Sequence, residues 1–231
     1  MIGLAAQKVW IRQSQKYGNE TSEGDIWQET IAGIGPSQSH WVTVGDRASD
    51  IFSFIEALSL SNWNCVIRTT HDRKIRVRDT DYKLDDYLRS LPEGAITRHI
   101  LRTKTGSKDC ILKLSWTQAD LFGPQRSRKF ITGSYVRVWC EEDPTIEWIL
   151  FTLSPVISAE DAIEIVEIYK QRWIIEEYHK CLKSGCKIEE AQLKTVERLL
   201  VLFGILGIIA TRLLTLRDVS RLHPNEIAHK Y

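Results

Sequence analysis

The 231-residue sequence has no CxxC pair among its five cysteines (Cys65, Cys110, Cys140, Cys181 and Cys186), and no signal peptide opens it. Without metal-type spacing or a secretory context, they read as free thiols in a reducing compartment, not as a zinc site or a disulfide framework. Net charge is almost lacking. The 31 Lys and Arg residues against 30 Asp and Glu leave +1, so affinity for nucleic acid must come from local clusters. Long apolar runs are scarce. The longest, "LLVLFGILGIIA" at 199–210, is too short to span a bilayer and reads as a buried helix. Internal repeats, low-complexity segments and a clear interdomain linker are missing too. What is there suits a globular chain of one large domain or two small ones, with 43% hydrophobic and 26% charged residues. Of the eight tryptophans, most read as core and one or two as stacking platforms.

Periodicity organises the rest. "GLAAQKVWIRQ" alternates as a strand, and "IWQETIAGI" reads as a short helix. "HWVTVGD" is a β-branched strand ending at Asp46. "RASDIFSFIEALS" has helical spacing, and "WNCVIRTT" is a second buried strand. That order predicts a parallel βαβ unit. After a short helix, "KLDDYLRSLP", the runs "AITRHILRT", "DCILKLSWT", "FITGSYVRVWC" and "IEWILFTLS" predict an inserted antiparallel patch. Two long helices close the chain. The first opens at Ser158 with a capping box to Asp161 and stops at Gly185 in a left-handed cap; the second spans about 190–217.

Three features offer chemistry. On a continuous helix at about 100 degrees per residue, Tyr169, Arg172, Glu176 and Lys183 fall within about 60 degrees of arc, bordered by Trp173 and Lys180. A carboxylate there can be a metal ligand, a general base or half of an ion pair, and the cations and phenol beside it are good phosphate partners. A solvated face with Glu176–Lys180 support fits the same spacing. Asp46, followed by Arg47, sits where a strand ends and a helix begins. It can offer a carboxylate to a hard cation there, or Asp46 or Ser49 can simply cap the next helix. "RTTHDRKIRVR", from Arg68 to Arg78, holds five cations against Asp72. It suits a phosphate backbone, or a solvated basic loop.

Together these residues resemble a known family. The spacing Tyr169-x2-Arg172-x3-Glu176-x6-Lys183 resembles the Y-R-E-K signature of the insertion-sequence-four family of bacterial DDE transposases. "VGDRASDI" is similar to its second-aspartate segment, "CVIRTTHDRK" to the basic strand after it, and Trp148, 21 residues before Tyr169, to the tip of its β insertion. The resemblance runs the length of the chain. It implies an α/β, RNase H-like core at 1–92, a β insertion at 93–154 and C-terminal helices at 155–231 completing the core. It implies Asp46 and Glu176 as catalytic, metal-binding carboxylates for two Mg²⁺ ions, with Mn²⁺ as a substitute. Tyr169, Arg172, Lys183, Arg68, Arg47 and Lys180 would contact DNA. Trp148 would take the place of a flipped base while a hairpin end forms, with Trp173 walling the same pocket. Partners would be double-stranded DNA at terminal inverted repeats and a second copy of the chain; the setting would be the cytoplasm, at the nucleoid.

The family's first aspartate lies on a strand upstream of everything here. Asp50, Asp72 and Asp79 all follow Asp46, the wrong order for that role. The resemblance therefore implies a catalytic-core fragment, lacking the first strands and a C-terminal dimerisation part, inactive alone and prone to fold poorly. The alternatives are a non-catalytic DNA-binding or inhibitory remnant, and a complete RNase H-type nuclease with a rearranged acid set.

Overall fold

The structure, a computed structural model, describes residues 5, 6, 8, 23–103, 106–124 and 129–225. The chain forms two compact units. The sheet unit is Thr21–Arg172; the helical unit combines Met1–Glu20 with Trp173–Tyr231. The strand expected in "GLAAQKVWIRQ" lies mostly outside the described residues; Ala5, Ala6 and Lys8 carry no element.

Among the described residues, the sheet unit holds eight strands in one sheet. Helix α1 (Glu23–Ile34) precedes β1 (Val42–Gly45). Helix α2 (Phe52–Leu60) leads to β2 (Asn64–Arg68), and β3 (Lys74–Val77) and β4 (Thr80–Lys83) form a hairpin before helix α3 (Leu84–Ser90). Strands β5 (Ala95–Thr103), β6 (Gly106–Phe122), β7 (Phe130–Cys140) and β8 (Glu147–Thr152) follow, then helix α4 (Ala159–Lys170). The spatial order is β1-β2-β8-β7-β6-β3-β4, with β5 also on β6. The expected βαβ unit is present, since β1 and β2 are parallel. The four expected β runs also form, and they do not stand apart from it. β8 pairs antiparallel with β2 and with β7, so the α/β part continues into the later strands as one mixed, mostly antiparallel sheet. At 17 residues, β6 is long enough for one edge to serve two partners, β5 near its start and β3 near its end.

Alternation along the strands divides the core. Val66, Leu112, Leu114, Val136, Val138 and Leu150 face α4, meeting Ala162, Ile165, Val166 and Tyr169. Their neighbours Cys65, Ile67, Leu121, Tyr135 and Phe151 face the other side, meeting Phe54, Ile55 and Leu58 of α2 and Leu84 and Leu88 of α3. Two β-branched or aromatic faces per strand explain why these runs are apolar almost throughout: both faces of the sheet are covered by helices.

The expectation of five free thiols fails at one pair. Cys110 and Cys140 are joined in a disulfide between β6 and β7. Leu112 pairs with Cys140, so Cys110, two residues away, shares its face and lies diagonally across. The carboxylate of Glu142 comes close to both sulfurs.

Two helix expectations also change. The helix opening at Ser158 has the capping box as read: Asp161 N–H donates to Ser158 Oγ at 3.1 Å, and Ser158 N–H donates to Asp161 Oδ2 at 2.9 Å. It does not run unbroken to Gly185. α4 ends at Lys170 and the chain turns through Gln171 and Arg172, with Arg172 N–H donating to the Tyr169 carbonyl. Tyr169 and Glu176 therefore lie on separate helices, not on the one continuous helix expected.

In the helical unit, α5 (Trp173–Lys180) continues into a π turn (Cys181–Gly185), and α6 (Val196–Leu222) follows. The left-handed residue falls at Lys187, φ 52°, not at Gly185. Tyr178, Leu182, Ile188, Ala210 and Leu214 form a small core, and Arg217 pairs with Glu177 to tie α6 to α5. The run at 199–210 is a helix but not the buried one expected. Leu200, Val201, Ile205, Ile208 and Ile209 are exposed, and only 22% of the most apolar stretch of α6 is buried. By length and composition α6 could cross a membrane, a test that core helices of water-soluble proteins pass as well.

Candidate nucleic-acid interface

The site starts at the carboxyl end of β1. Gly45 is the last strand residue, and a Cβ there would meet Ser49 at 2.5 Å, so the chain can fold back into the 3₁₀ turn Arg47–Ser49 only without a side chain. Asp46 caps that turn: its Oδ1 accepts from Ala48 N–H at 2.9 Å, and its second oxygen has no hydrogen-bond partner among the described residues. The capping role is thus real. It uses one oxygen, and the exposed carboxylate keeps another for a ligand.

Asp50 holds the turn in place. Its side chain is 1% exposed and pairs with the Arg73 guanidinium at 2.5 Å. The same oxygen, Oδ2, accepts from Thr70 N–H at 2.7 Å, and Arg73 also donates to the Asp50 carbonyl at 3.3 Å. Thr70 Oγ1 donates to the Arg47 carbonyl at 2.8 Å. These bonds bolt the Asp46 turn to the exit of β2. Sequence reading set Asp50 aside as a misplaced acid and missed its bracing role. The signal available was its position four residues after Asp46, facing a basic run.

The β2 exit carries Arg68. Its Nη2 donates to the Glu147 carbonyl at 3.0 Å. Burial lowers its basicity, and the neighbouring guanidiniums of Arg47 and Arg172 lower it further, while a hydrogen bond with the Tyr169 hydroxyl acts in the opposite direction. Three arginines from three places in the sequence are therefore close enough to feel one another's charge, and Tyr169 bonds to one of them, Arg68. The Glu147 side chain faces elsewhere, accepting from Arg137 Nε at 3.0 Å and Arg89 Nη2 at 2.8 Å.

Tyr169 is buried, at 7% exposure, so its ring is a packing group and its hydroxyl is the group that meets Arg68. Trp148 packs on it, with ring centroids 5.4 Å apart, and the His99 ring lies 6.1 Å from Trp148. Trp148 is half-buried and touches both rings. His99, which sequence reading did not single out, sits on β5; burial lowers its pKa, Lys170 lowers it further, and Glu167 opposes them.

Of the expected site residues, the sheet unit brings together Asp46, Arg47, Arg68, Trp148, Tyr169 and Arg172. Trp173, Glu176, Lys180 and Lys183 belong to the helical unit. There Glu176 and Lys180 are exposed on α5, Trp173 is 59% exposed, and Lys183 pairs with Glu189 at 3.0 Å. Of the basic run, Arg73 pairs with Asp50, while Lys74 and Arg76 pair with Asp81 across the β3–β4 hairpin at 2.7 Å. From Lys74 on, that run is therefore a structured hairpin strand rather than a loose basic loop.

A strand-end carboxylate beside a cluster of guanidiniums suits a phosphodiester. Residues 16–212 match the family model described as the transposase DDE domain, which is most of the chain. The protein belongs to the transposase DDE domain family. Members of that class act on DNA through metal-dependent strand cleavage during transposition, so the substrate class is DNA and the cofactor class a divalent metal ion.

Proposed function

We propose that this chain is the catalytic-core part of a cut-and-paste transposase of the insertion-sequence-four type, working by strand cleavage, hairpin formation and strand transfer at terminal inverted repeats. The observation that carries the reading is the electrostatic proximity of Arg47 and Arg172 to Arg68, which Tyr169 bonds, in the same unit as the Asp46 turn. Guanidiniums gathered this way make a favourable seat for an anion, and a DNA phosphate can take charge-assisted hydrogen bonds from them. In this reading Arg68, anchored on the Glu147 carbonyl, sets the register of the phosphate. The Tyr169 hydroxyl orients Arg68, and Arg47 and Arg172 close on the phosphate from either side. Trp148 offers a π face to an unstacked base, supported from behind by Tyr169.

Asp46 fits a metal-binding role by donor chemistry: an exposed carboxylate, one oxygen fixed by a backbone N–H, at the end of a parallel strand. Glu176 is the second proposed carboxylate, with Mg²⁺ or Mn²⁺ as the ion and the core as RNase H-like. When bound, such ions lower the pKa of the attacking water or hydroxyl and stabilise the leaving oxygen. Lys180, Lys183 and Trp173 are proposed as further DNA contacts, a homodimer as the working form, and 1–92, 93–154 and 155–231 as the functional divisions.

The test is the metal dependence of DNA binding. Adding Mn²⁺ should tighten the wild-type complex with duplex DNA, while Asp46→Asn should bind DNA without responding to the metal. An equal response in both would remove Asp46 from the metal site.

A further inference from the structure

Two thiols bracket the turn that carries Lys183. The π turn Cys181–Gly185 is closed by Cys186 N–H donating to the Cys181 carbonyl at 2.9 Å. A bond of that span brings the residues at its two ends together, and here both are cysteines. Each is unbonded and half-buried, packed against the small core of Tyr178, Leu182, Ile188, Ala210 and Leu214. The Cys181 sulfur lies over the turn itself: a Cβ added at Gly185 would come 3.5 Å from it. Burial raises the Cys181 pKa most, and the neighbouring Cys186 thiol adds to it. The other cysteines do not compete for this role, since Cys65 is fully buried and Cys110 and Cys140 are joined to each other.

We propose that Cys181 and Cys186 form a reversible dithiol–disulfide site, oxidised by a small-molecule disulfide. One cysteine thiolate attacks the reagent's S–S bond, giving a mixed disulfide and releasing one thiol. The second thiolate attacks the protein sulfur of that mixed disulfide and releases the other. The protein loses two protons and two electrons and gains one S–S bond; the reagent's S–S bond becomes two thiols. The bond closes a short loop around Lys183 and fixes the π turn. Any effect of oxidation on DNA binding rests on the proposed role of Lys183; the chemistry of the pair does not.

The experiment uses the whole chain, reduced, then treated with oxidised glutathione, alkylated and digested with trypsin. Cleavage after Lys180, Lys183 and Lys187 releases "CLK" and "SGCK". The expected result is these two peptides linked, at their summed mass less two hydrogens, separated again by dithiothreitol. Cys186→Ser should instead keep glutathione on Cys181. Stable separate adducts on both wild-type cysteines, or two unmodified thiols, would overturn the proposal. Linked peptides with unchanged DNA affinity would support the dithiol site and overturn only the role of Lys183.

Discussion

Asp50 and His99 show how single side chains hold this site without touching a ligand. Asp50→Ala leaves the Thr70 N–H and the largely buried Arg73 guanidinium without their acceptor. Arg73 already has one buried nitrogen, Nε, with no partner among the described residues. Breaking a buried pair from one side costs about 3 kcal/mol. The urea midpoint should fall accordingly with an unchanged slope, and DNA binding should fall with it because the Asp46 turn loses its brace. His99 carries a pH dependence of definite sign. Its pKa in the fold is depressed, so the unfolded chain takes up a proton that the folded chain resists. Its contribution is fully present above the unfolded value of about 6.5 and is lost as pH falls below it. The melting temperature should drop between pH 8 and pH 5, and less so in His99→Gln. An equal drop in both would place the acid sensitivity elsewhere.

At the scale of elements, close approach decides more than propensity does. A Cβ on Gly133 in β7 would meet the Phe151 ring at 2.5 Å and the Thr152 carbonyl oxygen at 2.6 Å, both on β8. Gly133→Ala should therefore force the β7–β8 pair apart and destabilise the sheet by roughly 1–3 kcal/mol, read by urea unfolding. Most elements were legible because their apolar spacing is strong. The β1–α2–β2 unit, α3, and β7 down to its end residues follow from alternation and helical period alone. The β3–β4 hairpin was not, because its turn places Arg78 and Asp79 at positive φ, where turn reading looks for Gly or Asn. The break between α4 and α5 has no Gly or Pro to announce it. The disulfide was hidden because 30 residues separate its ends, and only strand register brings them together.

At the scale of the molecule, a net charge of +1 makes clustering the whole of the electrostatic argument. The family resemblance named Asp46, Arg68, Trp148, Tyr169 and Arg172, and all five lie in the sheet unit. What spacing could not supply was the division of labour: Tyr169 buried and bonded to Arg68, Asp50 as brace, and the helix broken at Arg172. The apolar run of α6 was misjudged because hydrophobicity predicts a wish for burial, not the surface that meets it. The central claim is that Arg47, Arg68 and Arg172 grip DNA phosphate. The most direct measurement is the binding of duplex DNA by fluorescence anisotropy across a salt series, wild type against Arg68→Ala. Losing one phosphate contact should weaken binding on all sequences alike and reduce the slope of log K against log salt by about 0.9. An unchanged affinity and slope would contradict the account.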